Sequence, residues 1–228
     1  MPGAGVDALR RARAARLHGL YALTPDLDDT AALVAKVSAA LDGGAAAIQY
    51  RSKTADAAQR RAQAQALARL HVVRGGLLIV NDDAELAAEI DADGVHIGED
   101  DGAIAAARAL VGTDRIIGVS CYNQWERATA AIAAGADYVA FGSFFASTTK
   151  PGARHAEMSL LARATSLGVP VVAIGGVTSA NAMALIEAGA DALAVIGDVF
   201  SHEDFVEVTR AAAAIAALFP SPIPARHP

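Results

Sequence analysis

The chain is predicted to be an α/β protein, a single (β/α)8 TIM barrel. Eight short apolar runs recur along its 228 residues. Alanine-rich stretches of helix length separate them, and nearly every run ends in a polar cluster. Continuous rather than alternating apolar runs mark strands buried on both faces, as in a parallel sheet covered by helices. A barrel of eight such units places its active site at the C-terminal ends of the strands. Those strand ends are therefore where function is to be read.

The elements follow in chain order. Residues 1–18 hold Arg10, Arg11, Arg13 and Arg16 on an alanine-rich background, which loosely resembles an organellar transit peptide. The segment also contains Asp7, has no serine and runs straight into the first strand, so a leading helix closing the barrel bottom is expected. Strands are expected at 19–24, 45–51, 77–82, 94–98, 116–120, 138–143, 171–176 and 192–197. Ala134-Gly135-Ala136-Asp137 before the sixth is echoed by Ala188-Gly189-Ala190-Asp191 before the eighth. Gly43-Gly44-Ala45 and Ala92-Asp93-Gly94 are looser copies before the second and fourth. Each glycine can end a helix in the left-handed conformation and lead a short loop into the next strand. Residues 219–228 are proline-rich and expected to be a frayed tail, because proline lacks the amide hydrogen a helix needs.

Composition fits one domain over 1–228, slightly shorter than the roughly 250 residues typical of this barrel. A hydrophobic fraction of 54% with only 5% aromatic reflects small residues packing helices onto a sheet. A formal charge of −6 offers no basic field for nucleic acid and points to small-molecule substrates. No apolar stretch approaches the roughly 18 residues that span a membrane. Cys121 is the one cysteine, so no disulfide framework exists and a reducing cytoplasm is the expected location.

Chemistry gathers at the strand ends. The second run leaves as Gln49-Tyr50-Arg51-Ser52-Lys53, and alternation puts Gln49, Arg51 and Lys53 on one side if the strand persists that far. An isolated Arg-x-Lys is more often a solvated strand end. Yet the chain has three lysines against sixteen arginines, and two of the three, Lys53 and Lys150, fall at strand ends. The third run ends in Asn81-Asp82-Asp83 and the fourth runs into Glu99-Asp100-Asp101. Carboxylates completed by water and substrate phosphates are the usual Mg²⁺ site, while one acid in each cluster is expected to cap the following helix. The sixth run leads to Ser147-Thr148-Thr149-Lys150, a hydroxyl-rich turn suited to an anionic group. The seventh and eighth end at Gly175-Gly176 and Ile196-Gly197, where barrels of this kind often bind phosphate through backbone amides. His96 falls mid-strand and reads as a hydrogen-bonded interior residue. Cys121 has no evident histidine partner and is not expected to be a nucleophile.

Together these motifs resemble the thiamine phosphate synthase family, from Tyr21 to Phe200. That family joins 4-amino-5-hydroxymethyl-2-methylpyrimidine diphosphate to a thiazole phosphate, forming thiamine phosphate and diphosphate. The resemblance implies a pyrimidine diphosphate site of Gln49, Tyr50, Arg51, Ser52, Lys53, Asn81, Ser120 and Lys150. Of these, Arg51, Lys53, Lys150 and Ser120 would be catalytic. It implies a thiazole phosphate site of Ser147, Thr148, Thr149, Gly176, Ile196 and Gly197, and Mg²⁺ on Asp82 and Asp101. The implied mechanism is dissociative: diphosphate departs and the thiazole nitrogen traps a pyrimidine cation. Three departures stand out. Glu99 replaces a common Gln, Gly197 replaces a frequent Ser, and Cys121-Tyr122-Asn123 replaces a stretch that often carries a histidine. Two rivals are a thiazole tautomerase of the same fold and a non-catalytic thiazole-phosphate-binding barrel. Both would be free to lose Arg51, Lys53, Asp82 and Lys150, and all four are present.

Overall fold

The computed structural model describes residues 4–98, 103–146 and 155–219. Eight parallel strands close into a barrel in sequence order: β1 (Gly19–Leu23), β2 (Ala47–Tyr50), β3 (Leu77–Asn81), β4 (Gly94–Ile97), β5 (Ile116–Tyr122), β6 (Tyr138–Gly142), β7 (Val171–Ile174) and β8 (Ala192–Val195). Before them comes α1 (Ala4–Ala15). Between them run α2 (Thr30–Asp42), α3 (Ala57–Arg74), α4 (Ala84–Glu89), α5 (Ala103–Val111), α6 (Trp125–Ala133), α7 (Met158–Ala164) and α8 (Ala182–Glu187). The short α9 (Gly197–Phe200) and α10 (Phe205–Ala216) complete the ring. All eight expected strands are present, most ending a residue or two earlier than the apolar runs. β5 instead runs two residues longer, through a register shift between Ser120 and Tyr122.

The apolar runs are continuous because each strand feeds two cores. Leu20, Ile48, Leu78, Val80, Val95, Ile117, Val119, Val139, Val171 and Leu193 pack outward beneath the helices, whose Leu33, Leu67, Ile104, Leu161 and Ile215 meet them. The alternate residues Tyr21, Leu23, Ala47, Leu77, Ile79, Ile116, Tyr138, Val172 and Ala192 fill the barrel interior. Full burial of one such Leu or Ile is worth about 1.5–3 kcal/mol. Gly118 makes room for the largest interior side chain. It pairs with Tyr138 across the β5–β6 ladder, and a methyl group at Gly118 would lie 1.9 Å from the Tyr138 ring.

The N-terminal helix packs at the bottom of the barrel. Ala14 of α1 and the following Leu17 sit in the interior core, and arginines of α1 meet acids in the loops below the strands. Arg10 pairs with Asp137 at 2.8 Å, and Arg108 reaches the same carboxylate at 2.6 Å. Arg13 and His71 approach Asp93 at 3.5 and 2.8 Å. The sequence echo acquires a purpose here. Asp93, Asp137 and Asp191 each precede an even strand and accept the backbone amide of Leu78, Ile117 or Val171 at the start of the odd strand before it. Ala46 holds the corresponding place before β2, so that pair of strands lacks the clasp.

Burial alone would raise the Asp93 carboxyl pKa, but the His71 hydrogen bond, the Leu78 amide and the Arg13 charge together hold it below 3.8. A depressed carboxyl contributes stability above its unfolded value and loses it as pH falls through the lower folded value. Asp93→Asn should therefore be less stable than the native chain at pH 7. Its stability should also decline less steeply below pH 3.8, as checked by denaturant melts from pH 7 to 2. Parallel pH curves for the two proteins would count against the ion pairs contributing.

Candidate active site

The strand ends surround a cavity of about 720 Å³ at the C-terminal mouth of the barrel. Inward-facing positions set its floor and walls, so the same parity that builds the interior core selects the chemistry. From β2 come Gln49 and, just beyond the strand, Arg51. Arg51 is fixed by its neighbour: the Thr24 hydroxyl donates to the Arg51 carbonyl and accepts from the Arg51 amide, both at 2.9 Å. Asp26 then accepts the Lys53 amide at 2.6 Å. The turn after β1 thus shapes the turn after β2.

Beyond β3, Asp82 lies in the left-handed region with φ 59°, a conformation that Asn and Asp tolerate better than most residues. Its amide donates to the His96 carbonyl at 2.8 Å, and its carboxylate accepts from the Asn81 side chain at 2.7 Å. Oδ1 lies about 3.7 Å from where a side chain on Gly98 would begin, so the carboxylate faces the exit of β4. Asp83 behaves differently. Its carboxylate accepts the Leu86 amide and caps α4, the role expected of one acid in this cluster.

At the C-terminal end of β5, Ser120 lines the cavity, and Tyr122, with φ 54°, lines it too. Arg127 of α6 donates to the carbonyls of Ser120 and Gly98, both at 2.7 Å, tying the β4 and β5 exits together. On the opposite wall, Gly176 has φ 64°, and a Cβ there would lie 2.4 Å from the Ala146 carbonyl oxygen. The Asn181 amide holds the Gly176 carbonyl, and Asp198 accepts the Ser179 amide, joining the loops after β7 and β8. The amides of Gly176 and Gly197 donate to no backbone carbonyl among the described residues.

Beneath the cavity an unbranched polar chain crosses the barrel. Gln49 Nε2 donates to the Tyr21 hydroxyl at 2.8 Å, and the Tyr21 and Tyr138 hydroxyls are 3.0 Å apart. Tyr138 meets His96 Nδ1 at 3.0 Å, and His96 Nε2 meets the Ser120 hydroxyl at 2.9 Å. Burial pushes the His96 pKa down to about 4 and keeps both tyrosines well above their ordinary value. The imidazole is therefore neutral near pH 7.

The structure brings Gln49, Arg51, Asn81, Asp82, Ser120, Gly176, Ile196 and Gly197 to one cavity. Three expectations at β2 need correction. Tyr50 points outward and is buried against α3, donating to Gln63 at 2.8 Å; burial pushes its hydroxyl up to about 12. Ser52 accepts the Ala55 amide in a turn and does not line the cavity. Lys53 is exposed and also outside the lining, because β2 ends at Tyr50 and the alternation stops short of it. Asp101, Ser147, Thr148, Thr149 and Lys150 lie outside the described residues, as do Glu99 and Asp100. Tyr21, Tyr122, Thr178 and Asp198 line the cavity without having been singled out from the sequence. Inward parity would have found Tyr21 along β1 and, with the strand carried two residues further, Tyr122 along β5. Cys121 is buried beneath the helices, as expected of an inert thiol.

Comparison with known proteins agrees with this geometry. A family profile described as thiamine monophosphate synthase matches residues 20–199. The chain is 56% identical to the thiamine-phosphate synthase of Chromobacterium violaceum over 198 residues, 87% of this chain and 96% of that one. It is 55% identical to that of Azoarcus sp. over 190 residues, 83% of this chain and 92% of the other. Among solved structures, thiamine phosphate pyrophosphorylase from Pyrococcus furiosus superposes with a TM-score of 0.77 at 33% identity, covering 91% and 96% of the two chains. A 3-hexulose-6-phosphate synthase, at 20% identity and TM-score 0.64, shares the barrel alone. With the profile spanning most of the barrel and relatives identical at more than half of the aligned positions, the chain belongs to the thiamine monophosphate synthase family.

Proposed function

We propose that this protein is a thiamine phosphate synthase, a transferase joining 4-amino-5-hydroxymethyl-2-methylpyrimidine diphosphate to thiazole phosphate. The observation that carries this is a single cavity in a member of that family. One side holds Gln49, Arg51, Asn81, Asp82 and Ser120, and the other holds Gly176, Ile196 and Gly197. Such a site is rich in groups that stabilise a departing anion. Among the described residues no cysteine or lysine lines it. Arg51 and Lys150 would hold the diphosphate and offset its growing charge as the bond to the pyrimidine carbon breaks. Ser120 would contact the pyrimidine. The amides of Gly176 and Gly197, with Ile196, Ser147, Thr148 and Thr149, would receive the thiazole phosphate and set its nitrogen toward the carbon.

Among the described residues no group of three potential metal ligands occurs. Asp82 nonetheless fits a hard cation. Its carboxylate faces the cavity and, among the described residues, its side-chain hydrogen bond is to the Asn81 amide. One or two carboxylates with water and substrate phosphates suffice for Mg²⁺. Asp82 and Asp101 would hold the ion, which when bound supplies positive charge to the diphosphate oxygens. We also read 1–228 as one domain acting on small phosphorylated substrates in the cytoplasm; no helix among the described residues is long and apolar enough to cross a membrane.

Incubation with both substrates and Mg²⁺ should yield thiamine phosphate and diphosphate in equal amounts. Isomerisation of the thiazole without diphosphate release would instead mark a tautomerase. Binding of thiazole phosphate without turnover would mark a ligand-binding barrel.

A further inference from the structure

The polar chain under the cavity has a property that none of its members has alone. Its five side chains, Gln49, Tyr21, Tyr138, His96 and Ser120, are joined by four hydrogen bonds and make no other side-chain hydrogen bond among the described residues. They come from five different strands. With each inner proton used within the chain, the donors left over among these side chains belong to the two ends, Gln49 and Ser120, and both line the cavity. Tyr138 is fully buried at the centre and does not line it.

Each inner hydroxyl has one proton, and the neutral imidazole has one donor and one acceptor nitrogen. When every inner proton is used within the chain, the direction of one bond fixes all the others. With the Gln49 amide donating to Tyr21, the Tyr21 proton goes to Tyr138 and the Tyr138 proton to His96 Nδ1. His96 then carries its proton on Nε2 and donates to Ser120, whose own proton is free for the cavity. Gln49 is left presenting its carbonyl oxygen. Reversing the amide reverses every bond and exchanges the characters of the two ends. In either direction one end accepts while the other donates.

We propose that these five side chains form one directional relay, with Tyr138 as the positioning residue that makes Gln49 and Ser120 present opposite hydrogen-bonding characters to a flat heteroaromatic ligand. In the direction seen here, the floor is complementary to a ring offering an amine to Gln49 and a ring nitrogen to Ser120. An aminopyrimidine has both. The ligand class rests on the synthase function proposed above; the relay itself does not. Two tyrosines and a histidine inside a barrel otherwise filled by aliphatic side chains thereby gain a role, since a buried polar chain is tolerated when every member is satisfied.

The test reads the relay without turnover. In protein labelled with ¹⁵N-histidine, the ring signals of His96 are those lost in His96→Gln, and the native protein should show the Nε2–H tautomer. Gln49→Glu, recorded at pH 9 to ionise the introduced carboxylate, can only accept from Tyr21 and should switch His96 to Nδ1–H. In Tyr138→Phe the same Gln49→Glu change should leave the His96 signals unmoved. A His96 tautomer that ignores Gln49→Glu overturns the relay, as does a switch that persists without the Tyr138 hydroxyl. In turnover, Tyr138→Phe should raise KM for the pyrimidine diphosphate by roughly 10-fold, the scale of one or two lost hydrogen bonds, and leave KM for thiazole phosphate unchanged. A tautomer switch in a protein that makes no thiamine phosphate would refute the synthase function and leave the relay standing. Normal synthesis with an unresponsive His96 would do the reverse.

Discussion

Asp82→Asn is expected to lower kcat by about 100-fold, the scale seen when one preorganised charge-stabilising group is removed. It should also raise the Mg²⁺ concentration needed for half-maximal rate. The substitution is unusually clean. Asparagine accepts the left-handed backbone at φ 59° at least as readily as aspartate, and the amide to the His96 carbonyl is unaffected. Only the charge is lost. Stabilisation that strengthens as the diphosphate departs appears in kcat as well as in binding. Lys150→Ala should slow turnover by a similar ~100-fold for the same reason. The neighbouring acid is the internal control. Asp83 caps α4 through the Leu86 amide, so Asp83→Ala should cost about 1 kcal/mol of stability and leave Mg²⁺ dependence intact. Mg²⁺ titrations of initial rate, with thermal melts of each variant, separate these outcomes. A folded Asp82→Asn protein with native turnover and metal dependence would remove Asp82 from the site.

Gly176→Val should weaken thiazole phosphate binding by about 100-fold or more, with a much smaller loss for the pyrimidine diphosphate. Placing a β-branched residue at φ 64° costs on the order of 1–3 kcal/mol by itself. The new Cβ would also meet the Ala146 carbonyl oxygen at 2.4 Å and the Phe145 Cβ at 2.8 Å, pushing the β6 exit away from the β7 loop. Gly197 offers the contrast. Nothing lies within 4 Å of a Cβ there and its φ is ordinary, so Gly197→Ser should fold and bind nearly as the native chain does. Calorimetric titration of each variant with each substrate provides the comparison. Equal losses for both ligands in Gly176→Val would argue against a thiazole phosphate subsite at this loop.

The fold was legible in the sequence because a parallel barrel buries both faces of every strand, and doubly buried strands are written as unbroken apolar runs. The site was legible where inward parity held to a strand end or one residue past it, as at Gln49, Asn81 and Arg51. It failed where the backbone left the strand. Parity carried Lys53 into the mouth on paper, but β2 stops at Tyr50 and the turn is dictated by Thr24 and Asp26, more than twenty residues earlier. Tyr50 was carried along by adjacency to Gln49 although alternation turns it to the helix side. Tyr122 was missed because the strand was expected to end at Ser120, whereas β5 continues two residues and the inward parity of Ile116 and Ser120 carries Tyr122 into the cavity. The floor chain was half visible: His96 could be read as a satisfied interior histidine, but its partners Tyr138 and Ser120 come from other strands.

Most ion pairs among the described residues lie at the end of the barrel away from the cavity, where Arg10, Arg13, Arg108 and Arg115 meet Asp137, Asp93 and Asp91. Durability and chemistry are thereby lodged at opposite poles of the same eight strands. Heat tolerance can drift through those arginines and aspartates without retuning the ligand face, and the ligand face can be rewritten while the base stays bolted. For protein engineering, this makes α1 and the loops beneath the strands the place to adjust lifetime. The mouth is then left free for changes of substrate.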